Sequence, residues 1–210
     1  KRRGVRWQQR ATAPLTVERV EAEGGELRVS LAHAKGLRIR AVFRLEPQSP
    51  ELTAAVTFSG PVGALPWMAY PRPFSCEAPG EVYLPNHAGM RYPANDLLAL
   101  PKPKHFIFSS GHSLSMSFWG MRAGSGAAHL TLVETPTDAW LRLSATNEGL
   151  MVEPLWLVER GETGEPRILR YVFFEEADHV ALAKRYRAYA REKGGDCVRN
   201  PQQGDHYDKS

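Results

Sequence analysis

The 210-residue sequence predicts a mainly β protein, a two-sheet antiparallel sandwich with one α-helix at its C-terminal end. Three observations support this fold class. Runs with an apolar residue at every second position fill most of the chain as far as residue 175. Turn signals separate these runs at the spacing that is typical of sandwiches. Only residues 176–195 carry apolar residues at helical spacing over a long segment.

The first four runs predict a meander of antiparallel strands. In residues 37–45, apolar side chains alternate with Arg38, Arg40 and Arg44, which predicts one buried face and one solvated face. A Glu-Gly-Gly turn at residues 23–25 is a hairpin signal between the first two runs. The four predicted strands span residues 15–22, 26–33, 37–45 and 51–60.

Strands resume after a long interruption, and the helix follows the last of them. The further predicted strands span residues 105–110, 113–120, 128–134, 139–145, 154–159 and 167–175. The last of these is apolar on both faces, which predicts a central strand covered on both sides. Gly194 is expected to end the helix. The predicted buried stripe of the helix consists of Val180, Ala183, Tyr186 and Ala190, flanked by Leu182 and Tyr189.

The chain is predicted to form one folded unit, residues 15–195, with a polar segment at each end. Residues 1–14 are a basic arm that contributes much of the net charge of +4, and residues 196–210 are a polar tail. No nucleic-acid-binding motif accompanies the arm, so we interpret it as a solvated terminus and predict no nucleic-acid partner. No apolar run is long enough to span a membrane.

The common catalytic and metal-binding motifs are missing from the sequence. The seven histidines have no metal-ligand spacing, so neither a metal nor another cofactor is predicted. A glycosidase needs two carboxylates that face each other across a cleft, and no acidic pair stands out by its position. Catalytic residues are therefore not assigned. Spacing does not show whether Cys76 and Cys197 pair, and two free thiols are the expectation.

Residues 109–120 predict one candidate surface for a sugar. On the strand 113–120, a row of serines shares one face with Trp119. Hydroxyl groups hydrogen-bond to sugar hydroxyls, and an indole ring stacks on the apolar face of a pyranose. Trp119 is therefore a candidate carbohydrate-binding residue. The alternative is that this face is the solvated outer surface of the sandwich.

Residues 61–104 form the long interruption between the strands. The region is rich in proline and in aromatic residues. Disordered loops are poor in aromatic residues, so a packed connection without secondary structure of its own is expected. Such a loop either borders a functional site or simply crosses the fold, and composition leaves both interpretations open.

Two segments resemble the N-terminal domain of large bacterial glycoside hydrolases. YPRPF…GEVYLPNHAGMRYP, within residues 70–93, resembles a proline-rich segment of these enzymes. RYVFFEEADHVALAKRYRAYAREKG, residues 170–194, resembles the strand and helix that end their N-terminal domain. The relatives are similar to endo-α-N-acetylgalactosaminidase, and their N-terminal domain is a β-supersandwich of the galactose mutarotase type. The resemblance covers roughly residues 50–195.

This resemblance implies an accessory domain that packs on a catalytic (β/α)8 barrel and borders its carbohydrate site. In the family the catalytic carboxylates lie on the barrel, which follows the helix and needs about 200 residues or more. The chain alone is therefore expected to be inactive. The positions that the resemblance places at the sugar are Arg72, Asn86, His87 and Arg91.

Two alternatives stay open. The first is a stand-alone sugar enzyme of the epimerase or lyase type, which would place a histidine acid and a glutamate base on the concave sheet. Asn86-His87 lacks the Tyr-Phe pair that follows at a short distance in such epimerases, which weighs against this alternative. The second is a carbohydrate-binding module with Trp119 and neighbouring aromatic residues as its platform.

Overall fold

The structure is a computed structural model that describes residues 15–34, 36–60, 67–86, 89–99, 105–109, 114–146, 149–157 and 165–194. For residues 105–109 and for Leu157 the backbone alone is described. The predicted basic arm and polar tail lie outside the described residues, and so does His87.

The described residues form strands β1 to β14 and helices α1 and α2. In chain order their bounds are β1 Leu15–Glu23, β2 Glu26–His33, β3 Arg38–Leu45, β4 Glu51–Ser59, β5 Trp67–Ala69, β6 Ser75–Cys76, β7 Glu81–Leu84, β8 Met90–Pro93, α1 Ala94–Leu98, β9 His105–Ser109, β10 Phe118–Arg122, β11 Ala128–Val133, β12 Ala139–Thr146, β13 Gly149–Leu157, β14 Arg167–Phe174 and α2 His179–Glu192.

The strands assemble into two antiparallel sheets. The larger sheet has nine strands in the order β1-β2-β3-β4-β14-β11-β10-β7-β8. The smaller sheet has the order β5-β13-β12-β9, and β6 also pairs with β13. The predicted fold class, two stacked antiparallel sheets with a C-terminal helix, is confirmed. The prediction that residues 61–104 lack secondary structure is wrong, because β5 to β8 and α1 lie there.

The predicted meander is confirmed in β1 to β4, where each strand pairs with the next along the chain. On β3, Ile39 and Ala41 are buried while Arg38 and Arg40 are exposed, as the alternation indicates. At the free edge, β1 is exposed along nearly its whole length. Its register shifts between Val17 and Arg19, which is a β-bulge or similar irregularity.

Strand β14 is central, as predicted. It pairs with β4 on one side and with β11 on the other. Leu169 and Tyr171 belong to the core between the two sheets, whereas Val172 belongs to a second cluster on the opposite face, which packs against α2. The larger sheet is therefore covered on both faces near its centre, by the smaller sheet on the inner face and by α2 on the outer face.

Helix α2 begins at a capped N-terminus. The Asp178 carboxylate accepts a hydrogen bond of 2.8 Å from the backbone N–H of Ala181, which satisfies one donor of the first turn. This hydrogen bond is the main cause that lowers the pKa of Asp178. The helix ends at Glu192, and Gly194 follows with φ +77°, a conformation that favours glycine. The predicted stop is confirmed.

The predicted buried stripe of α2 is wrong in part. Val180 and Ala183 are exposed, whereas Leu182 is buried and Tyr186 and Tyr189 pack against the same cluster. The reason lies in the sheet, which leaves a gap at Gly120. A side-chain carbon at Gly120 would lie only 2.6 Å from Leu182 Cδ1. The helix therefore docks with Leu182 above the glycine.

Gly120→Ala is expected to destabilise the fold by about 1–3 kcal/mol, because the added methyl group overlaps Leu182. In the double variant Gly120→Ala/Leu182→Ala the new methyl group enters space that the leucine has left. The double variant should therefore lose roughly 1 kcal/mol less unfolding free energy than the sum of the losses in the two single variants. Urea unfolding of the four proteins measures this coupling, and strictly additive losses would contradict the docking.

Candidate carbohydrate-binding site

The β7–β8 hairpin carries two of the predicted sugar-binding residues at the edge of the larger sheet. Arg91 lies on β8, directly opposite Tyr83 on β7. Asn86 follows β7 and makes an isolated bridge with Leu114. The Asn86 carbonyl accepts a hydrogen bond of 2.8 Å from the N–H of Gly89, which tightens the turn. Pairing thus brings Asn86 and Arg91 onto one short hairpin.

The two side chains differ in exposure. The Arg91 side chain is 61% exposed, and its Nε lies 3.6 Å from a Glu81 carboxylate oxygen. At that distance the contact is a loose surface ion pair, so the guanidinium group can still donate hydrogen bonds to a ligand. The Asn86 Oδ1 is buried and accepts no hydrogen bond from the residues that the structure describes. An unpaired buried acceptor is costly, so Asn86 would gain from a ligand donor or a water.

Glu81 has a second partner on the same hairpin. The Tyr83 hydroxyl group donates a hydrogen bond to the other Glu81 carboxylate oxygen. Burial and the adjacent Glu81 carboxylate together raise the pKa of Tyr83 to about 12. Tyr83 therefore stays a neutral donor at physiological pH. Glu81 is thus held by Tyr83 and Arg91, so it positions the hairpin and is poorly placed to act as a free base.

The other predicted site residues have different outcomes. Arg72 lies in the connection between β5 and β6 and is exposed. It therefore belongs to a different segment from Asn86 and Arg91. His87 lies outside the described residues, so its part in the site stays a prediction.

The prediction for Trp119 and the serine row is wrong. Trp119 is 2% exposed and belongs to the core between the sheets, so its ring has no open face for a sugar. The strand here begins at Phe118 instead of residue 113. The N–H and the hydroxyl group of Ser115 both donate to the Pro85 carbonyl, at 2.8 and 2.7 Å. These bonds hold the segment out of the sheet.

A concave feature outside the β7–β8 hairpin was not anticipated from the sequence. It is a groove of about 650 Å³, here called the Phe74 groove. Its lining consists of residues 74–79, residues 123–125 and 127 of the β10–β11 turn, residues 128 and 129 at the start of β11, Met121, Phe173 and Phe174. The Phe74 ring packs against rings of the larger sheet, with centroid distances of 4.9 Å to His129, 5.4 Å to Tyr171 and 5.9 Å to Phe173.

His129 is the unusual member of this lining. It lies on β11 opposite Met121 and Phe173, on the inner face of the sheet. Its Nε2 atom is buried and has no hydrogen-bond partner among the described residues. Burial lowers the pKa of His129 from its ordinary value of 6.5 to about 4, so the imidazole is neutral at physiological pH. Within the described part of the chain, no hydrogen bond or ion pair joins the ring to a carboxylate, so the acid and base of a sugar epimerase are not paired among these residues.

His129→Phe is expected to make the free energy of unfolding less dependent on pH in mild acid. Because its folded pKa lies below the unfolded value, the unfolded chain binds the proton first as the pH falls from 6.5 towards 4. Wild type should lose up to about 3 kcal/mol of unfolding free energy over this interval through His129. Urea unfolding at several pH values tests this, and parallel pH profiles for the two proteins would contradict it.

Several other features of the described residues bear on chemistry. Cys76 is a buried free thiol, and burial raises its pKa, so it is a poor nucleophile. The described residues contain no group of three or more His, Cys, Asp or Glu side chains able to hold a metal ion. Of the helices in the described part of the chain, none combines the length and the hydropathy needed to span a bilayer.

Comparison with known proteins gives a shared fold. No model of a known protein family matches the chain. A comparison with curated proteins finds no significant match. Solved structures do match. The ligand-free α-N-acetylgalactosaminidase NagBb from Bifidobacterium bifidum matches with a TM-score of 0.68 and 20% identity, over 87% of this chain and 31% of that chain.

Two other glycosidase structures match less completely. The galactosidase domain of the α-galactosidase-sucrose kinase AgaSK matches with a TM-score of 0.54 and 12% identity, over 79% of this chain and 28% of that chain. The GH36 α-galactosidase AgaB from Geobacillus stearothermophilus matches with a TM-score of 0.50 and 15% identity, over 72% of this chain and 24% of that chain. The chain thus spans less than a third of each structure. The likeness confirms the predicted fold resemblance to glycoside hydrolases.

Proposed function

We propose that the chain is the accessory N-terminal β-sandwich domain of a glycoside hydrolase, which packs on and borders the substrate site of a catalytic (β/α)8 barrel encoded outside these 210 residues. The observation that carries this proposal is the asymmetry of the structural match. One solved glycosidase covers 87% of this chain with only 31% of its own length. These two coverages are expected when this chain corresponds to one domain of a larger enzyme.

The parent enzyme would act on α-linked galactose or N-acetylgalactosamine. The matching structures are described as an α-N-acetylgalactosaminidase and as α-galactosidases. Both kinds of sugar have the galacto configuration, so the proposal names a substrate class and leaves the substituent at C2 open. Hydrolysis would depend on carboxylates of the barrel.

Within the domain, the β7–β8 hairpin would border the sugar. The exposed guanidinium group of Arg91 offers several N–H donors to sugar hydroxyls. The unpaired Oδ1 of Asn86 would accept a hydrogen bond from one of them. His87 adjoins Asn86 in sequence and is included on that ground. Arg72 would approach from the β5–β6 connection as a separate contact.

The accessory role is tested by comparing the 210-residue chain with a longer chain that continues along its gene. We expect the short chain to leave p-nitrophenyl α-galactoside and p-nitrophenyl α-N-acetylgalactosaminide intact, and the longer chain to hydrolyse at least one of them. Turnover of either substrate by the short chain would overturn the proposal. So would a gene that encodes no barrel-sized continuation.

The hairpin is tested in the longer enzyme with Asn86→Ala and Arg91→Ala. Each is expected to raise KM roughly tenfold with a smaller change in kcat, because it removes contacts to bound sugar and leaves the reacting groups in place. Arg40→Ala is the matched control, since Arg40 is an exposed arginine on β3, far along the sheet from the hairpin. Equal changes of KM in Arg91→Ala and Arg40→Ala would contradict a role of the hairpin in sugar binding.

A further inference from the structure

We propose that the Phe74 groove is a second sugar site, which binds one uncharged pyranose ring between the Phe74 ring and the imidazole of His129. This site is distinct from the β7–β8 hairpin and does not depend on a catalytic barrel. It would let the domain hold carbohydrate by itself, beside the accessory role proposed above.

The shape of the groove suits a single ring. Its volume of about 650 Å³ falls within the range of small-molecule pockets. Phe74 is 42% exposed, an unusual degree for a phenylalanine that contacts three aromatic side chains of the sheet. Phe173 and Phe174 also line the groove. Aromatic faces beside an open cavity are the surfaces on which the C–H groups of a pyranose pack.

One polar atom of the groove lining, His129 Nε2, is buried without a hydrogen bond to any described residue, and Thr131 Oγ1, outside the lining, is in the same condition. Thr131 lies two residues further along β11 and opposite Tyr171, so both side chains are on the inner face of the sheet. A buried polar atom without a partner costs about 1–3 kcal/mol. A sugar hydroxyl group that enters beside His129 would supply the partner that Nε2 lacks.

The charge of the lining selects the ligand class. Among the described residues that line the groove, Glu77 is the one with a carboxyl side chain, and the low pKa of His129 keeps that imidazole neutral. No lysine or arginine stands among the described lining residues to pair with a phosphate or a carboxylate. A ligand with hydroxyl groups, apolar faces and no charge therefore fits best, and a neutral monosaccharide has these properties.

Access to the imidazole nitrogen requires a small movement. The Phe74 ring lies against His129. Phe74 belongs to the connection between β5 and β6, outside the strands themselves. Rotation of this ring off His129 would open the nitrogen and turn an aromatic face towards the sugar. Binding would therefore replace the contact between Phe74 and His129 with a contact between Phe74 and the sugar.

Methionine methyl NMR of the 210-residue chain provides the test. The chain has five methionines, of which Met121 lines the Phe74 groove and Met90 lies on the β7–β8 hairpin next to Arg91. Galactose and N-acetylgalactosamine are titrated separately. We expect a saturable shift of the Met121 signal, with a Kd on the order of 10 mM. The Met90 signal reports on the other site.

Three variants sharpen the result. His129→Phe keeps the ring packing and removes the hydrogen-bonding nitrogens, and Phe74→Ala removes the stacking face. Each should weaken the binding seen at Met121 by roughly tenfold or more. Met116→Ala is the matched control, because Met116 is exposed to the same extent as Phe74 and lies outside the groove lining. It should leave the Kd unchanged.

Three outcomes would overturn the groove site. One is a stationary Met121 signal while Met90 shifts, which would place the sugar on the hairpin alone. Another is no shift of any methionine, which would leave the isolated chain without a sugar site. The third is an unchanged Kd at Met121 in His129→Phe. Loss of the groove site leaves the accessory role intact, because hydrolysis by the longer enzyme tests that role separately.

Discussion

Trp156→Ala is expected to lower the free energy of unfolding by about 3–5 kcal/mol, the largest loss that we predict for a single substitution. Trp156 lies on β13 of the smaller sheet and is fully buried. Its indole packs in the core between the sheets. Truncation would leave a cavity that the two sheets cannot close without moving, and the cost of such cavities grows with their volume.

The indole also makes a hydrogen bond that alanine cannot replace. Trp156 Nε1–H donates to the backbone carbonyl of Tyr70 at 2.8 Å. Tyr70 begins the connection that carries Arg72 and Phe74, so the bond ties this connection to the core. Trp156→Phe keeps most of the ring volume and loses the bond, and we expect an intermediate loss of about 1–3 kcal/mol.

Urea unfolding of Trp156→Ala, Trp156→Phe and Val20→Ala tests this prediction. Val20 is a large apolar residue on the exposed edge strand β1. Its truncation should change the free energy of unfolding by about 0.5 kcal/mol or less. A loss in Trp156→Ala as small as that in Val20→Ala would mean that the two sheets do not pack as described.

Glu51→Ala is expected to destabilise the protein by about 3 kcal/mol, near the lower end of the range for breaking a buried ion pair. Glu51 begins β4 and is buried, although it is charged. Its two carboxylate oxygens accept hydrogen bonds from Arg185 on α2, at 2.7 Å, and from Arg170 on β14, at 3.1 Å. Removing the carboxylate leaves two half-buried guanidinium groups short of a partner.

The position of Glu51 makes it the link between the helix and the sheet. Arg170 also donates to Glu134 at 2.6 Å, and Lys193 lies 3.6 Å from the second Glu134 oxygen. The ion pairs thus hold both the middle and the end of α2. Loss of Glu51 should therefore loosen α2 before it unfolds the sheets. Hydrogen exchange of the α2 amides measures this, and equal protection in wild type and variant would contradict it.

Glu26→Ala is the matched control. Glu26 also contacts two arginines, Arg28 and Arg44, but their side chains are 40% and 62% exposed. The Arg170 and Arg185 side chains are only 22% exposed. Exposed pairs contribute little because water and salt screen them. Glu26→Ala should therefore cost much less than Glu51→Ala.

The pH dependence gives a further check on Glu51. Burial opposes its ionisation, but hydrogen bonds from Arg185 and Arg170 outweigh burial, so the pKa of Glu51 lies below its ordinary value of 4.5. The stabilisation is then fully present above pH 4.5 and is lost as the pH falls through the folded pKa. The difference between wild type and Glu51→Gln should accordingly be constant near neutral pH and shrink in acid. A difference that grows in acid would contradict this assignment.

Strand alternation predicted the meander well and failed at residues 114–117. In β1 to β4 the alternation reflects a real difference between a core face and a solvent face. Ser115 and Ser117 have the same period, but tertiary contacts decide the backbone there. Both donors of Ser115 are taken by the carbonyl of Pro85, 30 residues away in sequence. A sequence pattern contains no information about such a partner.

The buried face of α2 could not be read from periodicity alone. Two apolar stripes run along the helix, one through Val180 and Ala183 and one through Leu182 and Tyr189. The choice between them is made by the sheet, where Gly120 leaves room for Leu182. The position of α2 is thus set by a glycine on β10, which has no side chain to exclude Leu182.

The candidate sites were predictable to different degrees. The proline-rich segment drew attention to Asn86 and Arg91, and strand pairing then placed them on one hairpin. His129 was overlooked because β11 is buried on both faces, so its sequence shows no contrast between core and solvent. The two polar residues in this run, His129 and Thr131, were the available signal, and the groove beside His129 is visible only in the structure.

The irregularity in β1 has a consequence for behaviour at high concentration. An open sheet edge can recruit strands from other molecules and grow into fibrils. Here the register shift at Val17 and Arg19 interrupts the row of outward backbone groups, and charged side chains such as Glu21 flank it. The opposite edge, β8, is four residues long and ends in Pro93, which has no N–H to offer. Neither of these two edge strands is a good template for edge-to-edge polymerisation. We therefore expect the larger sheet to resist pairing with strands of other molecules at high concentration.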